Sequence, residues 1–298
     1  METKPYWMEE ALPEFAPLAN DLEVDVVVIG GGLTGITAAY LLKKEGVRVA
    51  LIERQRCGAA DTGHTTAHLT YVTDYRMHRL VKHFGCDAAK AFWEAGVAAI
   101  DQISNIVREL KIDCEFKWVP GYLHSKLFER AEGEVPSLKE DADLARQLDF
   151  EAQWLDKVPY ANRPGIKFAN QAKFHPRKYL RALLKAIHGN GSHVFENTEA
   201  GEIQDKPLRV QAGRYHIRCK YLILATHNPL MGKCNVLNAT LFQSKLALYT
   251  SYVLGANLPK GLVPEALYWD TSDPYYYLRI DRHQDADYAI FGGEDCKT

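Results

Sequence analysis

The sequence predicts an α/β fold in two lobes: one doubly wound around a parallel sheet, the other built on a mixed, mainly antiparallel β-sheet. Three observations predict it. Apolar, β-branched runs at Val26–Ile29 and residues 47–52 flank a helical stretch, which suits parallel strands covered on both faces. A third apolar run, residues 221–225, has the same character. The late chain instead offers shorter candidate strands at residues 248–254, 275–281 and 288–291. At 298 residues and 47% hydrophobic content, the chain is long enough to bury two cores.

Between the first two strands, Gly30, Gly31 and Gly32 break the run and a helix follows from Leu33 to about Glu45, ended by Gly46. Gly30, Gly32 and Gly35 fit the G-x-G-x-x-G spacing, which aims a helix N-terminus at phosphate and lets helix and strand pack closely. Glu53 closes the second strand, where a carboxylate accepts hydrogen bonds from ribose hydroxyls and repels a 2′-phosphate. A glycine-rich turn can also bind nothing. The strand, helix, second strand and terminal acid around this one favour a Rossmann-like dinucleotide site.

A formal charge of −2 gives no reason to expect nucleic acid or an anionic membrane as partner. The six cysteines form no C-x-x-C pair, so they read as reduced, structural thiols of a cytoplasmic protein, with no metal site. Residues 1–22 are acidic and proline-punctuated, unlike a signal peptide, and are expected to lie extended with Tyr6 and Trp7 as anchors. No apolar run is long enough to span a bilayer.

After Glu53 comes RQRCGAADTGHTTAHLT. It reads either as a polar linker or as a loop whose Gly58, Thr62, Gly63, His64, Thr65 and Thr66 bring donors to a bound dinucleotide. Residues 87–110 predict a long amphipathic helix capped by Asp87, with Phe92, Ala95, Ala99, Ile103, Ile106 and Leu110 as its buried stripe. Residues 115–125 read as two short strands around Pro120-Gly121, and residues 137–148 as a surface helix in a solvated charge run. Pro176 starts a helix that stops at Gly189-Asn190-Gly191, with His175 as its start residue. Residues 208–211 and 215–218 predict a hairpin.

Four stretches together resemble a known family: VVVIGGGLTGITAAYLLKKEGVRVALIE, TGHTTAHLT, the region from FHPRKYL to LILATHNPL, and YWDTSDPYYYLR with FGGEDCKT. The chain is similar to FAD-dependent oxidoreductases of the D-amino-acid oxidase and glycine oxidase type, most of all to the subgroup with a C-terminal Rieske iron–sulfur domain. The resemblance implies FAD as cofactor. It places Gly30, Gly32 and Gly35, with Leu33 and Thr34, on the pyrophosphate, and Glu53 with Arg54 at the adenosine ribose. It sets Thr62, Gly63, His64, Thr65 and Thr66 beside the flavin, residues 198–200 with Ala200 at adenine, and Ala225 and Thr226 along the dinucleotide. It divides the chain into an FAD-binding lobe, residues 1–72 and 173–232, and a substrate lobe, residues 73–172 and 233–298. Relatives run on past Thr298, so the segment that closes over the flavin and the Rieske domain are expected to be missing here; the chain is a fragment or a short form.

Flavin oxidation of an amine needs the substrate placed and water excluded, because the cofactor carries the hydride chemistry. Arg279, with Tyr277 beside it, is the candidate clamp for a substrate carboxylate; the alternative is an exposed arginine paired with a neighbouring acid. His64 and His227 are candidates beside the flavin or satisfied structural histidines. The expected function is FAD-dependent oxidation of the C–N bond of an amine or amino acid, with electrons passing to oxygen, an iron–sulfur centre or another acceptor. The alternatives are a non-catalytic flavin- or nucleotide-binding protein and an NAD-dependent dehydrogenase.

Overall fold

The structure, a computed structural model, describes residues 5–127, 133–226 and 249–297. In chain order it contains β1 (Leu22–Glu23), β2 (Val26–Ile29), α1 (Leu33–Lys44), β3 (Val49–Ile52), β4 (His68–Leu69), α2 (Met77–Phe84) and α3 (Cys86–Glu109). Next come β5 (Lys117–His124), α4 (Val135–Gln147), β6 (Ala152–Leu155), β7 (Gly165–Lys173), α5 (Pro176–Ile187), β8 (His193–Phe195) and β9 (Ala200–Asp205). The chain continues through β10 (Leu208–Ala212), β11 (Tyr215–Arg218), β12 (Tyr221–Leu224), β13 (Tyr249–Leu258), β14 (Leu267–Asp270), β15 (Tyr277–Arg282) and β16 (Asp287–Lys297).

These elements fall into two units. The first draws on Met1–Thr65, Ile112–Cys114 and His175–Ala247. Every residue of β2 and β3 is buried, as their unbroken apolar runs demand. They form the middle of a parallel sheet in the order β12-β2-β3-β8, and α1 packs against α5 beside it. Gly46, at φ +80°, ends α1 where the sequence predicts. A second sheet, β1-β11-β10-β9, contains the expected hairpin, and Val210 and Ile217 join Val27, Ile29, Ala50 and Ile52 in one core.

The second unit draws on Thr66–Lys111, Glu115–Phe174 and Leu248–Thr298. Its sheet runs β13-β16-β15-β14-β5-β7-β4, with β6 also paired to β7. Apart from the parallel β14–β5 pair, its ladders are antiparallel. A core of Tyr122, Val158, Val263, Ala266, Tyr268, Leu278 and Ile280 lies against this sheet.

Four local expectations are corrected here. Within residues 115–125 there is one strand, β5 (Lys117–His124), because β7 pairs along it and absorbs Pro120-Gly121 as a register shift. The long helix begins at Cys86 after Gly85, at φ +83°, so Asp87 sits in the first turn. Its buried stripe is Ala89, Trp93, Ile100 and Ile106, while Phe92 is 58% exposed. Trp93 sets this phase: its ring packs edge-on against Phe150 and Phe168, 5.1 and 5.6 Å away. In α4, Asp141 is buried, accepting from Arg76 Nε at 2.6 Å and from His78 N at 2.8 Å, so that charge run is not wholly solvated.

Candidate cofactor and active site

The β2–α1 turn is where sequence and packing meet. Gly30 has φ +115°, and a Cβ on it would lie 2.3 Å from the Ala225 carbonyl oxygen. A Cβ on Gly35 would lie 2.0 Å from the Gly30 carbonyl oxygen. Both glycines are therefore required by the protein's own packing. Gly32 is different. Among the described residues a Cβ there meets only Thr62 Oγ1, at 3.4 Å, and Gly32 caps α1 without a side-chain hydrogen bond. No described residue forbids a side chain at Gly32; what it keeps open is the approach to the helix N-terminus, the place a phosphate takes.

Glu53 stands beside this turn. Its Oε2 accepts from Gly31 N at 2.7 Å and its Oε1 from Gln55 N at 2.9 Å, which fixes the carboxylate at the end of β3. Each oxygen retains a lone pair for a ribose hydroxyl. Gly31 is tight as well: a Cβ would meet Cys57 Sγ at 2.8 Å. Thr62 Oγ1 accepts from Leu33 N at 3.2 Å, so the loop after β3 reaches the start of α1. Thr34 is exposed on the same first turn. Ala225 N donates to the Ile29 carbonyl at 2.8 Å, setting Ala225 and the exposed Thr226 alongside the turn. Thr198 N donates to the Glu53 carbonyl at 2.8 Å, and Ala200 opens β9 two residues on. These residues fit FAD by an open cradle at Gly32, an anchored acceptor at Glu53 and backbone on either side.

The rest of the loop is held differently. Gly63 is buried, His64 is exposed with Nδ1 2.9 Å from the Ala60 carbonyl, and the Thr65 carbonyl accepts from Trp7 Nε1. Arg54 is exposed. His227 lies outside the described residues.

In the second unit, Arg279 has the neighbouring acid that the alternative reading gave it, Asp281, but not the exposure. It is fully buried at 0% exposure, not an exposed surface arginine. Its guanidinium is also committed internally: Nε donates to Asp281 Oδ1, and Nη1 to the carbonyls of Thr66, Ala67 and Phe174, each at 3.0 Å. Through Nε and Nη1 it staples the start of β4 to the end of β7 and to β15. Ala67 needs such support, since it holds φ +54°, an uncommon conformation for a residue with a side chain. Lys173 Nζ pairs with both Asp281 and Glu265, the latter at 2.9 Å. Burial pushes the Asp281 carboxyl up, but Arg279 and Lys173 more than offset it, and the net direction is below the usual carboxylate range.

Tyr277 is half-buried on β15, its ring over Gly292, where a Cβ would come within 2.3 Å. Facing it edge-on, 6.1 Å away, is His68, which the sequence reading passed over although it stands in the TGHTTAHLT segment. His68 Nε2 is buried with no hydrogen-bond partner among the described residues. Burial first, and the Arg279 charge second, push its imidazole down to about 3, so it is neutral at ordinary pH. A cavity of about 490 Å³ near the ends of β7 and β15 is lined by Lys117, Lys173 and Arg282, each of them ion-paired.

A parallel sheet with this turn, helix and terminal acid defines a dinucleotide-binding type of fold. The chain belongs to the family described as "DAO: FAD dependent oxidoreductase", which matches residues 25–297. Over 298 residues it is 34% identical to the putative Rieske 2Fe-2S iron-sulfur protein YhfW of Bacillus subtilis, covering 98% of this chain and 57% of that protein. It is 23% identical over 286 residues to the gamma-glutamylputrescine oxidoreductase of Escherichia coli, covering 94% of this chain and 66% of that one. Among solved structures, glycine oxidase from Geobacillus kaustophilus shares the fold with a TM-score of 0.66 at 14% identity, over 93% of this chain and 72% of that one. The chain thus spans 57% and 66% of the lengths of these two curated relatives. The NAD-dependent alternative gives way to FAD. No helix among the described residues is long and apolar enough to cross a membrane.

Proposed function

We propose that this chain supports oxidation of the C–N bond of an amine or amino acid, giving an imine that water hydrolyses. The observation that carries the reading is Gly32, the one motif glycine that the protein's own packing does not require, fronting the N-terminus of α1 beside Glu53. FAD, when bound, supplies the hydride acceptor. The chain's own residues bind and orient. First-turn N–H groups of α1 hold phosphate oxygens, and Glu53 accepts from ribose hydroxyls. Thr62 positions the loop against Leu33, and Tyr277 offers a hydroxyl to substrate. An amine must be unprotonated before its lone pair can assist C–H cleavage. His68, kept neutral by burial, adds no competing positive charge to the second unit.

The names of the relatives support an amine-type substrate and, through the Bacillus protein, an iron–sulfur acceptor for the electrons. We place the reaction in the cytoplasm, in keeping with the free cysteines. The test is anaerobic titration of the FAD-loaded chain with amino acids, primary amines and glutamylated diamines. Bleaching of the visible flavin band by one class identifies it, and a silent panel refutes turnover. A second reading, flavin binding without turnover, draws on the edge strand β12, where Tyr221 and Leu224 are 69% and 64% exposed. It predicts bound FAD that no member of the panel bleaches.

A further inference from the structure

We propose that the N-terminal strap, residues 5–18, is a clasp that holds the loop of residues 57–65 in its cofactor-binding form, with Trp7 and Arg177 as its positioning residues. The strap forms no strand, yet Trp7, Leu12 and Leu18 are buried at 2, 8 and 8% exposure. Its contacts fall at successive points of the loop. Trp7 Nε1 donates to the Thr65 carbonyl, while the Trp7 ring rests edge-on against His175, 4.8 Å between centroids. Met8 Sδ fills the space at Gly63, where a Cβ would come within 2.9 Å of it. Leu12 Cδ1 likewise sits 3.0 Å from a Cβ built on Gly58.

Arg177 joins strap and loop in one guanidinium. Its Nε donates to the Glu10 carbonyl at 2.9 Å, and its Nη1 to the Gly58 carbonyl at 3.0 Å, with Met8 Sδ at 3.2 Å. Buried at 7% exposure, it is satisfied by main-chain carbonyls of both segments. Farther along, the buried Glu196 binds Phe15 N at 3.1 Å through Oε2 and Cys57 N at 2.8 Å through Oε1. Strap and loop therefore share a donor at one end and an acceptor at the other. The loop carries little regular structure of its own beyond a short 3-10 turn at Asp61–Gly63, so these contacts set its order. A loop ordered in advance spares cofactor binding that entropy, and a loosened one lowers affinity with no cofactor contact removed.

This proposal rests on the reading of residues 58–65 as cofactor contacts, and the experiment separates the two. Trp7→Phe keeps a ring against His175 but loses the Nε1–H; Arg177→Gln loses the double tether, and Arg177→Lys restores part of it. The deflavinated chain is titrated with FAD, its thermal midpoint is measured, and trypsin cleavage after Arg54 and Arg56 is timed in the cofactor-free protein. Trp7→Phe is expected to weaken FAD binding roughly 3- to 10-fold and Arg177→Gln roughly 10- to 100-fold, with Arg177→Lys between wild type and Gln. Trypsin is expected to cut both loosened variants faster, and their loss of FAD affinity to exceed what any fall in the midpoint of the cofactor-free protein accounts for. Unchanged affinity and cleavage, or affinity lost only in step with the midpoint, overturns the clasp. Gly32→Ala serves as the site control. If it weakens FAD binding while the strap variants do not, the clasp fails and the site stands; if it too is silent, the site reading fails.

Discussion

Replacing Arg279 by methionine separates a structural staple from a substrate clamp. Methionine keeps an unbranched apolar stem and removes every donor. Asp281 keeps its partner Lys173, so no acid is left wholly alone. The carbonyls of Thr66, Ala67 and Phe174 lose a shared donor in a fully buried position. Stranding buried acceptors costs about 1–3 kcal/mol each, and removing one member of a buried charge pair about 3–5 kcal/mol in all. A loss of about 4 kcal/mol is expected, a large part of a typical stability of about 5–15 kcal/mol. Urea unfolding followed by tryptophan fluorescence suits the measurement, since Trp93, Trp118, Trp154 and Trp269 lie in the second unit and only Trp7 in the first. With a slope of about 2–3 kcal/mol/M, the midpoint should fall by about 1.5 M. A midpoint lowered by less than about 0.3 M, together with a KM that climbs only for substrates bearing a carboxylate, would refute the staple and restore the clamp.

Three further outcomes follow from the same geometry. Gly35→Ala, whose Cβ would meet the Gly30 carbonyl at 2.0 Å, should unfold or strongly destabilise the first unit, whereas Gly32→Ala should leave the cofactor-free midpoint unmoved and weaken FAD binding at least about tenfold, read by thermal melts and flavin titration. His68 takes a proton near pH 6.5 when unfolded but only at about 3 when folded, so wild-type stability should decline as pH falls from 6.5 toward 3. His68→Gln should flatten that decline by on the order of 2 kcal/mol at pH 4.5 in urea titrations. Asp281 has its folded value depressed, so its contribution is complete above about pH 4 and is lost as pH falls through the lower folded value. Asp281→Asn should therefore remove that acid-side slope and lower stability at neutral pH, checked by the same titration at pH 7 and 3.

The amino-acid sequence by itself determined the elements whose cause is local. An unbroken valine run, three glycines, a helix closed by Gly46 and an acid after the second strand specify β2, α1, β3 and the glycine turn, because apolar runs and positive-φ glycines act within a few residues. The same holds for α5, which starts at Pro176, and for the hairpin of β10 and β11. Features set by distant partners were not legible. The phase of α3 depends on Trp93 meeting Phe150 and Phe168, and β5 stays one strand through Pro120-Gly121 because β7 pairs along it. The tertiary structure alone decided that Arg279 spends donors on Thr66, Ala67 and Phe174, that His68 is stranded neutral against Tyr277, and that Trp7 is tied to the loop of residues 57–65. A side chain's donors go wherever the folded chain leaves an unmet acceptor, and pairings across 105 to 213 residues of chain leave no periodicity in the sequence to read.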